Sequence, residues 1–146
     1  TIIFKSSPPD KFITFFIAIL NPKNGELDIV NAGHNPSLRL DTKNKMSKIE
    51  AGGIAFGMFD MGLPFEGEKL TLKKGERLFM FTDGIPEAMN SKEEEYSDEK
   101  MEKFFQRNQP KKSQTFVKNI VKNVKKHTGR TPQSDDITLL YLIRKL

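Results

Sequence analysis

Two rhythms of apolar positions run along the chain. Short apolar runs and strict alternation, the period of strands, fill its first half and its end. Spacing of three and four residues, the period of helices, fills the stretch from about residue 98 to 127. Phe12–Leu20 (FITFFIAIL) is a continuous apolar run bounded by Pro9 and by Asn21-Pro22, and predicts a strand buried on both faces. Asn21 to Gly25 is a turn, and Glu26–Asn31 alternates with Leu27 and Ile29 on one face, so the two strands predict a hairpin. Ser37–Leu40 and Met46–Glu50 predict two further strands around the polar turn Asp41–Lys45. Residues 51–67 hold five glycines (52, 53, 57, 62 and 67) and one proline, and read as a long loop. Leu70–Leu72 and Glu76–Thr82 predict another hairpin across Lys74-Gly75, the second strand covered on both sides.

Two helices are predicted next. Ser97 caps the first, with Asp98 and Glu99 at its positive end and Met101, Phe104 and Phe105 on its apolar face. Ser113 is expected to cap the second, which shows Phe116, Val117, Ile120, Val121 and Val124 at helical spacing and ends at Gly129. Ile137–Ile143 (ITLLYLI) closes the chain as a fully buried strand. Hairpins, then helices, then a strand predict an α+β fold with antiparallel sheet. Phe15, Ile17, Ile19, Phe79, Phe81, Leu140 and Leu142 are expected to share one sandwich core, with both helices on an outer sheet face.

Composition narrows the function classes. A chain of 146 residues fits one domain, residues 1–146. It has no cysteine, which excludes disulfides and thiolate chemistry, and only two histidines, His34 and His127, which excludes a His-rich zinc site. The run Phe15–Leu20 is too short to span a bilayer. The absence of cysteine and of an export signal predicts a cytoplasmic location, and Thr1 in place of an initiator Met predicts a piece of something larger. The net charge of +5 is local in origin, because residues 100–130 hold ten basic residues and one acid, Glu102. That stretch reads as a solvated helix face, with a nucleic-acid or phosphoprotein surface as the functional alternative. It has no interleaved aromatics for stacking, so nucleic acid is the weaker partner.

Candidate chemistry lies at strand ends. Thr82-Asp83-Gly84 ends one hydrophobic strand and Asp135-Asp136 precedes another, so carboxylates on a rigid scaffold face an open rim. Hard divalent ions such as Mg²⁺ and Mn²⁺ take such oxygen donors with water completing the shell, while Gly84 allows close approach. A plain turn and a plain strand lead-in are the other reading of the same residues. Asn31-Ala-Gly-His-Asn-Pro36 is the third cluster. His34 there is either a base or ligand, or a structural histidine that hydrogen-bonds a loop. Ser6, Ser7 and Ser134 have no His or acid spaced for a triad.

Seven segments in order give a family resemblance. They are Phe12-Ile-Thr-Phe-Phe, Gly25-Glu-Leu, Asn31-Ala-Gly-His-Asn-Pro36, Gly53-Ile-Ala-Phe-Gly57, Gly75-Glu-Arg-Leu-Phe-Met-Phe-Thr-Asp-Gly84, Glu87-Ala and Asp135-Asp-Ile-Thr-Leu139. The chain resembles the SpoIIE/RsbU branch of the metal-dependent serine/threonine phosphatases, relatives of the type 2C enzymes. The resemblance implies two antiparallel sheets packed face to face with helices outside, and a pair of Mn²⁺ or Mg²⁺ ions at one end. It implies direct attack of metal-activated water on phosphoserine or phosphothreonine. Carried over, Asp83 and Asp135 are metal ligands, Gly84 is the backbone partner of Asp83, and Asp136 lies behind the ligands or holds a weaker extra metal. His34 and Asn31 match a site loop.

The family's Asp-x-x-Gly-His-Gly segment, whose Asp bridges both metals, has no counterpart in these residues. The first strands and first long helix of the fold are therefore expected to be missing, with Thr1–Ser7 the end of that helix. The chain by itself is expected to be inactive and to bind metal weakly. By resemblance the parent dephosphorylates an anti-anti-sigma-type protein under an N-terminal sensor or receiver domain. The open sheet edge left behind is a route to a homodimer. The rival reading is a non-catalytic phosphatase-like module that binds a regulatory partner through the basic stretch.

Overall fold

The computed structural model describes residues 2–6, 8, 10–50, 52–59 and 64–145. The sequence readings at Thr1, Ser7, Pro9 and Gly62 lie outside them. The elements are α1 (Ile2–Ser6), β1 (Phe15–Leu20), β2 (Glu26–Ala32), β3 (Ser37–Leu40), β4 (Met46–Ile49), β5 (Gly67–Thr71), β6 (Arg77–Phe81), α2 (Asp98–Arg107), α3 (Ser113–Thr128) and β7 (Leu139–Ile143). The class is α+β with two antiparallel sheets, as the sequence predicts. The chain divides into two compact units, Thr1–Pro36 with Ile49–Lys74 and Ser37–Lys48 with Gly75–Leu146.

The first unit holds a three-stranded sheet in the order β1-β2-β5. Its hairpin is set by chemistry local to the turn. The Asn21 side chain accepts the Lys23 N–H at 3.1 Å, and Gly25 takes φ +80°, where a side chain would be strained. Phe15 then pairs with Ala32 and Leu20 with Leu27. Leu27, Ile29 and Asn31 of central β2 are buried on one face. β1 departs from the expectation of a strand buried on both faces. Phe15, Ile17 and Ile19 are 45%, 43% and 65% exposed; Phe56 packs on Phe15 with ring centroids 5.9 Å apart and covers that face only in part. Residues 52–59 are more ordered than a loop: Gly53 bridges Ala32 and Phe56 bridges Ile13.

The second unit holds a four-stranded sheet in the order β4-β3-β6-β7. Pairing of Leu38 with Phe79 and of Phe79 with Tyr141 puts Leu38, Leu40, Phe79, Phe81 and Tyr141 on one face. Met101 and Phe105 of α2, and Phe116, Ile120 and Val124 of α3, close over that face as one buried cluster. Phe116 is its hub, stacked on Tyr141 with ring centroids 3.9 Å apart and edge-on to Phe79 at 5.1 Å. Phe79 and Phe81 are core residues, but their core lies beneath α2 and α3, on the face opposite Leu140 and Leu142, so the seven residues expected to share one core do not; Leu140 is 50% exposed.

Two other expectations are corrected. β5 pairs with β2 and β6 pairs with β3 and β7, so residues 70–72 and 76–82 do not form a hairpin. Buried Glu76 fixes the start of β6 instead, through a 2.6 Å ion pair with Arg39 of β3. Ser113 is the first residue of α3 and not its cap; Lys112 occupies the cap position with no side-chain hydrogen bond. Ser97 caps α2 by accepting the Lys100 N–H, and Gly129 ends α3 at φ +62°, both as read from the sequence.

Replacing Phe116 by alanine should cost about 3–5 kcal/mol, the range for an aromatic removed from a core, measured by urea unfolding. Burial also pushes the Tyr96 and Tyr141 hydroxyls up to about 12. Unfolded tyrosine ionises near about 10, so above that pH the unfolded state has lost protons that the folded state keeps. Stability should therefore hold below pH ~10 and fall as pH rises toward ~12. In the Tyr141→Phe variant the decline over that window should be shallower.

Candidate functional site

Antiparallel pairing of β6 with β7 determines where the candidate carboxylates go. Phe81 lies opposite Leu139, so the residues just beyond β6 meet those just before β7. Thr82 joins the two segments. Its N–H donates to the Thr138 carbonyl at 3.0 Å, its hydroxyl donates to the Asp136 carbonyl at 2.9 Å, and the same oxygen accepts the Thr138 N–H at 3.0 Å. Gly84 is then pressed against the second segment. A Cβ built there would sit 2.5 Å from the Asp136 carbonyl oxygen and 2.9 Å from its carbon. Its lack of a side chain is a steric requirement here, since its φ is ordinary.

Beyond Gly84 the chain turns through residues 83–87, with Gly84, Ile85 and Pro86 buried and Asp83 and Glu87 exposed. The Glu87 N–H donates to the Asp83 carbonyl at 3.0 Å. On the facing segment, Asp135 accepts the Asp136 N–H on its carboxylate at 2.6 Å, and its carbonyl accepts from the Gln133 side chain at 2.7 Å. Both Asp135 and Asp136 are exposed. The structure therefore brings Asp83, Gly84, Asp135 and Asp136 to one end of the second unit's sheet.

The electrostatics agree with that gathering. Partial desolvation, and then the like charges of Asp83, Glu95, Asp135 and Asp98, raise the Glu87 carboxyl above its ordinary value. Glu87 is the site residue that sequence reasoning missed. The available signal was its position four residues after Asp83, where one turn returns it to the same neighbourhood. Thr82 was missed as well, because a threonine before Asp-Gly looks like any strand end. Among the described residues, no three His, Cys, Asp or Glu side chains form a set able to hold a metal ion. The donors that are present, exposed carboxylate oxygens in a region of negative potential, suit Mg²⁺ or Mn²⁺ held by one or two carboxylates and water.

Asn31 and His34 lie in the first unit. Buried Asn31 closes its own turn, its Oδ1 accepting the His34 N–H at 2.8 Å and its Nδ2 donating to the His34 carbonyl at 3.1 Å. The His34 Nδ1 is 3.2 Å from the Thr14 hydroxyl. Gly33 between them takes φ +68°, and a Cβ there would lie 2.6 Å from the Ala55 nitrogen. These bonds account for the Asn-Ala-Gly-His pattern as a tightly packed loop.

Comparison with known proteins places these features in a family. Protein IcfG of Synechocystis sp. is 28% identical over 134 residues, covering 91% of this chain and 21% of that protein. The manganese-presoaked structure of the SpoIIE phosphatase domain from Bacillus subtilis superposes with a TM-score of 0.69 at 22% identity, over 90% of this chain and 56% of that one. The RsbU and RsbW domains of a Mycobacterium tuberculosis protein give 0.75 at 22% identity, over 90% and 37%. The chain thus spans less than two-thirds of each relative, and the two solved structures share its fold. The family model for Stage II sporulation protein E matches residues 1–145, and with the Asp-Gly and Asp-Asp ends of β6 and β7 in the places described, the chain belongs to the SpoIIE family.

Proposed function

We propose that residues 1–146 are the C-terminal part of one metal-dependent protein-serine/threonine phosphatase domain. The observation that carries this reading is the Thr82–Gly84–Asp136 junction, which holds Asp83 and Asp135 at one end of the β6–β7 pair. In this reading Asp83 and Asp135 hold Mn²⁺ or Mg²⁺, and Asp136 stands behind them or holds a weaker ion. When bound, such ions lower the pKa of water and offset charge on phosphate oxygens. The chain's own work is positional. The Thr82 hydroxyl fixes the two segments together, Gly84 permits their contact, and Gln133 steadies the backbone of Asp135. Glu87, with its raised carboxyl, adds negative potential that favours a cation there.

The substrate in this reading is a phosphorylated anti-anti-sigma-type protein in the cytoplasm, and the parent carries an N-terminal sensor or receiver domain. Family membership and the likeness to RsbU and SpoIIE domains support both. Among the described residues no helix is long and apolar enough to cross a membrane. The exposed row on edge strand β1 supports a homodimer as the assembled state. A second reading, a phosphatase-like module that binds a regulatory partner without catalysis, is favoured by one observation: no three-ligand set exists among the described residues.

In the full-length protein, Asp83→Asn and Asp135→Asn should each lower kcat/KM for a phosphoserine peptide by at least about a hundredfold, a barrier rise of about 2.7 kcal/mol. Circular dichroism should show the fold unchanged. Wild-type turnover in both variants would remove the metal assignment, and absence of turnover in the wild-type full-length protein would leave the binding-module reading.

The 146-residue chain alone should turn over para-nitrophenyl phosphate in millimolar Mn²⁺ at less than about one-tenth of the full-length rate. It lacks the Asp-x-x-Gly-His-Gly segment, and two carboxylates leave most of each coordination shell to water. Comparable rates for the two proteins would show that the bridging carboxylate is dispensable.

A further inference from the structure

The outer surface of the second unit carries a groove that the phosphatase reading does not use. It runs between α2 and α3, encloses about 470 Å³, and is lined by Lys100, Lys103 and Arg107 on one side and Asn123, Lys126 and His127 on the other. Tyr96, Phe104 and Asn108 complete it. No Asp or Glu lines it. The whole chain has a net charge of only +5 with His neutral, so four Lys and Arg side chains around one groove, with His127 beside them, are a local concentration of charge.

The basic residues are placed by helix geometry. Lys100, Lys103 and Arg107 follow i, i+3, i+7 and so share one face of α2, with neighbours about 5–6 Å apart. The row spans about 10 Å at 1.5 Å per residue. The facing wall is anchored on Tyr96. Buried Tyr96 donates its hydroxyl to Asn123 Oδ1 at 2.6 Å, and the His127 ring packs edge-on against Tyr96 at 5.6 Å. His127 Nε2 lies 2.9 Å from the Glu94 carbonyl, which can only accept, so that nitrogen donates.

The acidic block before α2 meets part of this charge: Glu94 interacts electrostatically with Lys100 and His127, and Glu99 with Lys103 and Lys100. Lys100 donates to the Glu95 carbonyl at 3.4 Å, a neutral group. Lys103 pairs with Glu99, but both are exposed, and such surface pairs are weak. Arg107 and Lys126 make no ion pair among the described residues.

We propose that this groove docks an extended acidic segment of a partner protein. Carboxylates at alternate positions of an extended peptide repeat at about 6.7 Å, a spacing that the flexible lysines and Arg107 of α2 can follow while Lys126 and His127 close from α3. The groove is open along its length, which suits a strand of peptide better than a small anion needing enclosure. Nucleic acid fits less well. Tyr96 is buried, and Tyr96 and Phe104 pack against His127 and Phe116, so the groove has no row of exposed aromatics on which bases would stack. The inference rests on charge and shape in the second unit alone and stands apart from the phosphatase reading.

The test is fluorescence anisotropy with the full-length protein and a fluorescein-labelled octaglutamate peptide. Arg107→Glu with Lys126→Glu should weaken binding at least about tenfold at about 50 mM salt. Lys43→Glu with Lys45→Glu, the same charge change at the β3–β4 turn, should weaken it less than about twofold. The milder pair Arg107→Gln with Lys126→Gln should weaken it several-fold, and thermal melts should match wild type. The proposal is overturned by equal losses in the two Glu pairs, by no wild-type binding up to about 1 mM peptide, or by tighter, groove-dependent binding of an oligothymidine of the same length.

Discussion

The second unit depends on aromatic packing over the β6–β7 pair. Phe116 stacks on Tyr141 and meets Phe79 edge-on, so one helix residue is held by both strands at once. A shift of one residue in the register of either strand would turn its aromatic to the opposite face. The packing of α2 and α3 therefore does more than bury apolar surface. It selects one alignment of β6 against β7.

That alignment delivers the candidate site. Once Phe81 lies opposite Leu139, the Thr82 hydroxyl can reach the Asp136 carbonyl and the Thr138 N–H, and Gly84 meets the Asp136 backbone. Asp83 and Asp135 become neighbours in space although 51 residues of chain lie between them. Part of the cost falls on Glu87, whose carboxyl is raised by desolvation and then by the like charges of Asp83, Glu95 and Asp135. A cation at this end would relieve it, which is why the same residues make sense both as a family signature and as chemistry. The basic groove lies on the outer side, where the same two helices face solvent.

The first unit works by a different device. Its central strand buries Leu27, Ile29 and Asn31, and the loop after it is closed by the Asn31 amide and by the near contact of Gly33 with Ala55. Its edge strand leaves Phe15, Ile17 and Ile19 about half exposed, with Phe56 against Phe15. An apolar row on a sheet edge is a liability unless something covers it, and this is the part of the chain where sequence pattern and observed burial disagree most.

Local signals were enough wherever the deciding physics is local. Period and capping gave α2 and α3 nearly to the residue, Asn21 to Gly25 gave the first hairpin, and Gly129 gave the end of α3. The ordered segments from Phe12 to Leu139 gave the family, and the resemblance singled out Asp83 and Asp135 as candidates. Apolar character alone could not say that β1 and Leu140 would be exposed, because burial depends on what lies opposite and an edge position is not written in the strand itself. Nor could Lys74-Gly75 show that β5 and β6 would part to different sheets, a matter settled by pairing with β2 and by the Arg39–Glu76 pair. Thr82 and Glu87 joined the candidate site only when the fold closed, Thr82 through its bonds to Asp136 and Thr138 and Glu87 through the charge of Asp135 from the facing segment. Helices and turns are decided within a few residues, and strand partners, exposure and shared charge are decided across the whole chain.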